Sequence, residues 1–161
     1  MKDAYFEGKV AVVTGAGGNN NKAITTNFYF DQAELSEDKP ENMVGFFDLD
    51  IDLFSNVVKT NTIGTVVPTR VFARQMAAEG QGAILNFASM NSYRPLTRVP
   101  AYAMAKAAIV NLTDWLATYF APAGIRVNAV APGFFINDRS AAYVTGITVP
   151  VDGGFLSHAG I

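Results

Sequence analysis

Ser89, Tyr102 and Lys106 are the residues whose types and spacing could do chemistry together. Tyr102 and Lys106 lie four apart in an alanine-rich run, Ala101 to Leu116, which predicts a helix. That spacing stacks the phenol and the ammonium on one helix face, one turn from each other. An ammonium so placed favours the phenolate form. A phenol tuned in this way can give a proton to a carbonyl or take one from an alcohol. Ser89 lies thirteen residues before Tyr102, just past the apolar, strand-like run Ala83-Ile84-Leu85-Asn86-Phe87. A serine at a strand end and a tyrosine in the following helix can meet in a cleft at the sheet's edge. There the serine hydroxyl can hold the same substrate oxygen.

These residues need a sheet and two helices to position them. Lys9 to Val13 is a short apolar run, read as a buried parallel strand, and it ends in Thr14-Gly15-Ala16-Gly17-Gly18. A glycine-rich turn at the carboxyl end of a first strand suits a dinucleotide's pyrophosphate; it equally suits a plain strand-to-loop turn. The stretch from Phe28 to Asp48 is acidic and loop-like. Asp50 or Asp52 then N-caps a helix on which Leu53, Phe54, Val57, Val58 and Asn61 recur at helical spacing. It continues through Val66 to Met76, with Pro68 expected to kink or break it. Gly80-Gln81-Gly82 is a turn, and Ala83 to Ala88 a strand. The helix from Ala101 to Phe120 carries an apolar stripe at Ala105, Ala108, Ile109, Leu112, Trp115, Leu116 and Tyr119. Trp115 and Tyr119 read as core or subunit contacts. Ile125 to Val130 is the next strand. The loop between the serine and the helix holds Asn91, Arg94 and Arg98. Arginines beside a carbonyl-handling site invite an anionic substrate, because guanidinium grips carboxylate bidentately; the alternative is solvated loop arginines.

Composition narrows the chemistry. The 161 residues suit one domain, half of them apolar and only 16% charged. A net charge of −2 without a basic block argues against nucleic acid and anionic membrane surfaces. There is no cysteine and a single histidine, His158, so no thiolate or histidine metal site and no Ser-His-Asp triad is expected. No run approaches a membrane span and the N-terminus has no apolar signal region, so a soluble, cytoplasmic chain is expected.

The arrangement of Ser89 with Tyr102-x-x-x-Lys106 resembles the short-chain dehydrogenase/reductase family. So do Asn61-Thr62-Ile63-Gly64, Asn86-x-x-Ser89, Pro132-Gly133 after a strand, and Val151-Asp152-Gly153-Gly154. The resemblance implies an α/β fold, a Rossmann-like doubly wound parallel sheet, as a single domain over residues 1–161. It implies hydride transfer with NAD or NADP, and no metal. Tyr102 would be the general acid/base. Lys106 would assist it and hold the nicotinamide ribose, and Ser89 would position the carbonyl oxygen. Asn61 would anchor a proton-relay water, although its residue type alone equally suits a buried amide satisfied by backbone. Gly15, Ala16, Gly17, Gly18, Pro132, Gly133 and Phe135 would line the cofactor together with Tyr102 and Lys106. A homo-oligomer, by resemblance a homotetramer, is implied as well.

The chain departs from the family at the glycine motif, with Asn19 and Asn21 where further glycines are expected. The βα units that should follow the first strand are missing. The sequence therefore reads as family pieces joined near residues 14–19, and again near 137–141, where a substrate lid is expected. A narrower resemblance is to the family's sugar-acid branch, the D-mannonate oxidoreductases or fructuronate reductases. Ala16-Gly17-Gly18-Asn19-Asn20, Phe46-Phe47-Asp48-Leu49-Asp50 and Met90-Asn91-Ser92-Tyr93-Arg94-Pro95 carry it. It implies a keto or hydroxy sugar acid of the D-fructuronate/D-mannonate type, touched by Ser89, Asn91, Arg94 and Tyr102. Lys22 is a further candidate for the carboxylate. A polyol or other carbonyl reductase, or a non-catalytic cofactor-sensing or structural protein on the same scaffold, is the alternative.

Overall fold

The computed structural model describes residues 11–13 and 30–133. Three parallel strands form a sheet in the order β1 (Ala11–Val13), β2 (Gly82–Phe87), β3 (Ile125–Val130). Val13 pairs with Leu85 and Phe87 with Val130, so all three carboxyl ends point to one edge. Two long helices connect them: α1 (Ile51–Glu79) precedes β2, and α2 (Pro100–Phe120) joins β2 to β3. Parallel neighbours require such crossovers.

Each helix starts where its sequence allows. Asp50 caps α1, its carboxylate accepting from the Leu53 N–H at 2.9 Å. Pro100 opens α2, where its missing N–H costs nothing and its fixed φ suits the first turn. α1 ends at Gly80, with φ 68°, and the turn before β3 uses Gly124, with φ 69°. Glycine adopts that left-handed backbone without steric cost. At Gly124 a Cβ would also come within 2.3 Å of the Gly80 carbonyl oxygen, so the two turns abut backbone to backbone.

The expected kink at Pro68 changes the helix less than its sequence suggests. α1 runs unbroken for 29 residues through it. Proline cannot bond the carbonyl four residues back, and its ring crowds that carbonyl. Here that residue is Gly64, where even an added Cβ would meet nothing within 4 Å. The buried seam of α1 is Val57, Asn61, Thr65, Thr69, Ala73 and Met76, a run of fours closed by a three. Thr65 and Thr69 bury their hydroxyls by donating to the Asn61 and Thr65 carbonyls at 3.0 and 2.8 Å.

The core lies between the helices and one face of the sheet, around Ala73, Met76, Ile84, Leu116, Ile125 and Val127. Strand residues alternate accordingly: Ile84, Asn86, Ile125 and Val127 are buried, while Leu85, Arg126 and Asn128 are exposed. A doubly wound sheet is covered on both faces. Among the described residues only one face is covered. The apolar stripe of α2 is also narrower than expected: Ala105, Ile109 and Leu116 are buried, but Ala108, Trp115 and Tyr119 are exposed. Trp115 and Tyr119 instead stack on each other, ring centroids 4.8 Å apart. Their reading as core is thereby corrected. None of the described helices is long and apolar enough to cross a membrane.

Candidate active site

The carboxyl edge of the sheet carries Ser89, and Lys106 reaches the same strand end with Tyr102 beside it. Ser89 lies two residues past the end of β2 and caps a 3-10 turn, Met90–Ser92. Its hydroxyl accepts from the Asn91 N–H at 3.2 Å, while its own N–H donates to the Ser92 hydroxyl at 3.2 Å. This reciprocal cap fixes the serine's backbone at the strand end. The next residue, Met90, donates its N–H to the Pro132 carbonyl at 3.1 Å, and Ala88 donates to Val130 at 2.8 Å. The serine turn and the Ala131–Gly133 segment therefore lie side by side.

Tyr102 and Lys106 arrive from α2. Lys106 is 2% exposed. Its Nζ donates to the Phe87 carbonyl oxygen at 2.6 Å and lies 5.6 Å from the centre of the Tyr102 ring. Burial lowers the Lys106 proton affinity below the ordinary lysine value, because desolvation disfavours the charged form. The half-buried Tyr102 shares its face one turn before. A second bond fixes this helix to the strand. Asn86, wholly buried, donates its amide to the Thr113 hydroxyl at 2.9 Å, and that hydroxyl donates to the Ile109 carbonyl at 2.7 Å.

Asn61 lies buried on α1, which packs against α2. Its amide donates to the Val57 carbonyl on its own helix at 2.9 Å, the backbone-satisfied arrangement its residue type alone suggested. Asn91 is buried, its Oδ1 accepting from the Leu96 N–H at 2.8 Å and its Nδ2 reaching the Ser89 hydroxyl at 3.5 Å. Arg94 and Arg98 are exposed on the loop before α2. Gly133 is described, and a Cβ there would approach the Met90 sulfur to 3.2 Å. Gly15, Ala16, Gly17, Gly18, Lys22 and Phe135 lie outside the described residues, as do both expected joints. No group of three or more acidic or histidine side chains suited to a metal occurs among the described residues.

Some partners carried little sequence signal. The Phe87 carbonyl as the lysine's anchor is a backbone atom, invisible to motif reading. Thr113 lies 27 residues from the amide it receives. Ser92 was legible in principle, because Ser89-x-x-Ser92 has capping-box spacing.

A parallel sheet, a Ser-Tyr-Lys set at its carboxyl edge and a Pro-Gly turn beside them define a nucleotide-linked dehydrogenase scaffold, since open α/β sheets bind ligands at that edge. The pattern of the short chain dehydrogenase family matches residues 40–145, and the chain belongs to that family of NAD(P)-dependent oxidoreductases with a Rossmann-like fold. An uncharacterized oxidoreductase of Haemophilus influenzae is 36% identical over 195 residues, covering 93% of this chain and 67% of its own. The uncharacterized oxidoreductase UxuB of Bacillus subtilis is 34% identical over 195 residues, covering 93% and 68%. A crystal structure of a provisionally named D-mannonate oxidoreductase from Haemophilus influenzae, with bound NAD, superposes with a TM-score of 0.69 at 43% identity. That match covers 86% of this chain but 48% of the solved one, so the chain spans about half its length. The two curated matches run over 195 positions against 161 residues here, so those relatives carry residues inside the match that this chain does not.

Proposed function

We propose that this chain carries the catalytic part of an NAD(P)-dependent oxidoreductase. It moves a hydride between a nicotinamide cofactor and a keto or hydroxy sugar acid of the D-fructuronate/D-mannonate type. One observation carries the reading: Lys106 reaches from α2 to the Phe87 carbonyl at 2.6 Å, two residues before Ser89. That bond holds the Tyr102 helix against the serine's strand end.

The residues fit the cofactor by the chemistry of their donors. The Lys106 ammonium and the Ser89 and Tyr102 hydroxyls lie at the carboxyl edge where such a ligand binds. Tyr102, Lys106, Pro132 and Gly133 would hold it, with Gly15, Ala16, Gly17, Gly18 and Phe135 proposed on resemblance. When bound, the nicotinamide supplies or accepts the hydride. Tyr102 gives its phenolic proton to the carbonyl oxygen in reduction and takes it back in oxidation. Ser89 donates a hydrogen bond to the same oxygen. Lys106, poorly solvated, steadies the charge left on the phenol, because electrostatic attraction strengthens where water is excluded. Asn61 is proposed to anchor a relay water on the α1 side. Arg94 is proposed to grip the substrate carboxylate, an assignment its exposure supports.

The narrower substrate class rests on the 43% identity to the structure named for D-mannonate. Incubating the chain with NADH or NADPH and D-fructuronate, 5-keto-D-gluconate or acetoin, and following nicotinamide absorbance, tests it. Preferred loss of absorbance with D-fructuronate supports the sugar-acid reading, and preference for acetoin moves it to the neutral carbonyl reductases. A cytoplasmic homo-oligomer, by resemblance a tetramer, belongs to the same proposal. Val67, Val71 and Phe72 on α1, and Trp115 and Tyr119 on α2, remain exposed and favour it. Light scattering measures the state directly.

A second reading has its own observation. Relatives carry residues inside the match that this chain lacks, which favours a non-catalytic protein on the same scaffold. Absence of any NADH or NADPH binding would select it.

A further inference from the structure

Asn91 came from the sequence as a substrate contact, but both ends of its amide are engaged inside the chain. Its Oδ1 accepts from the Leu96 N–H at 2.8 Å. A backbone N–H can only donate, so this bond fixes which end of the amide is oxygen. The NH2 end therefore faces the Ser89 hydroxyl, at 3.5 Å. That distance is long, as catalytic hydrogen bonds commonly are until substrate tightens them. The backbone N–H of the same residue also points to the Ser89 oxygen, at 3.2 Å. A hydroxyl has two acceptor sites and one hydrogen. Asn91 aims two donors at that oxygen, and the Ser92 N–H of the capping box is a third. The remaining capacity of Ser89 is its hydrogen.

We infer that Asn91 is a positioning residue that, together with the Ser92 N–H, fills the acceptor sites of the Ser89 hydroxyl and so commits that hydroxyl to donate toward the substrate oxygen. The inference rests on the oxidoreductase reading above and assigns Asn91 a part that acts through Ser89. Its burial fits: the side chain is 8% exposed, and Ser89 itself is 6% exposed. A serine left free to rotate spends part of its time accepting rather than donating, and each such orientation is unproductive for a developing oxyanion.

Two substitutions separate this role from simple support of the loop. Asn91→Asp keeps an oxygen for the Leu96 N–H but replaces the donor at Ser89 by a carboxylate oxygen, which captures the serine's hydrogen. Asn91→Ala removes both side-chain contacts and leaves only the backbone N–H donors to restrain the serine hydroxyl. The measurement is kcat with NADH and D-fructuronate, 5-keto-D-gluconate or acetoin, whichever the wild type turns over fastest. It is taken on the plateau of each variant's pH profile. The expected order is wild type, then Asn91→Ala, then Asn91→Asp, with the last lower than wild type by on the order of 10–100-fold. NADH affinity should stay within about twofold, because the contacts removed point at Ser89 and Leu96. In a Ser89→Ala background, Asn91→Ala should change residual kcat by less than about twofold. The reverse order, with Asn91→Ala worse than Asn91→Asp, would make Asn91 a loop anchor and overturn the inference while leaving the oxidoreductase reading intact. An undiminished effect of Asn91→Ala without the serine hydroxyl would do the same. A wild type that turns over none of the three substrates would remove the reading and the inference together.

Discussion

Lys106 donates from its ammonium to the Phe87 carbonyl oxygen at 2.6 Å while lying 5.6 Å from the centre of the Tyr102 ring. One side chain thus locks helix to strand and sets the charge beside the phenol. Burial of that ammonium has a consequence for stability. The folded chain gives up the Lys106 proton below the ordinary value of 10.5, where the unfolded chain still holds it. In that window the unfolded state binds more protons, so stability rises with pH. The cost of burying the charge is present at neutral pH and is relieved as pH climbs through the folded value. Urea unfolding of the wild type and Lys106→Met, from neutral pH towards 10.5, should show the wild type gaining on the variant. A wild type that loses ground over that range would contradict the burial of a charged lysine.

The two glycines of contrasting surroundings give opposite expectations. Gly124 has φ 69°, and an added Cβ would meet the Gly80 carbonyl oxygen at 2.3 Å. Gly124→Ala should therefore cost at least about 2 kcal/mol. Gly64 sits inside α1, where an added Cβ meets nothing within 4 Å. Gly64→Ala should add about 0.5–1 kcal/mol. Thermal or chemical denaturation of both variants reads the pair. Destabilisation by Gly64→Ala would mean that another surface closes on α1 at that point.

Arg94 is exposed, and its backbone N–H donates to the Met90 carbonyl at 3.0 Å, at the end of the serine turn. If it grips the substrate carboxylate, Arg94→Ala should raise KM for D-fructuronate by about 10–100-fold, the worth of a charge-assisted hydrogen bond. The KM for a neutral ketone should hardly move. An equal effect on acidic and neutral substrates would remove Arg94 from carboxylate recognition.

Much of the fold was legible because its signals are local. Strand β3 falls on Ile125–Val130 as read, and β2 starts and ends one residue before its expected span. Asp50 announces the start of α1, and α2 begins one residue before its expected Ala101. What failed depended on packing and loop shape that residue spacing does not encode. Pro68 reads as a breaker, yet α1 runs through it unbroken. Trp115 and Tyr119 fit the period of a buried stripe, yet both are exposed and stack on each other. Within the site, spacing brought Tyr102 and Lys106 together because one helix turn dictates it. The partners of Asn91, the Ser89 hydroxyl and the Leu96 N–H, were not legible, because they depend on a loop whose shape no periodicity encodes.

Tyr102→Phe tests the central claim most directly, because it removes only the phenolic oxygen. Turnover of D-fructuronate with NADH or NADPH, and cofactor binding followed by fluorescence, should be measured on the variant beside the wild type. The account predicts turnover in the wild type, its loss in Tyr102→Phe, and cofactor binding preserved in both. Turnover retained without the phenol would contradict it.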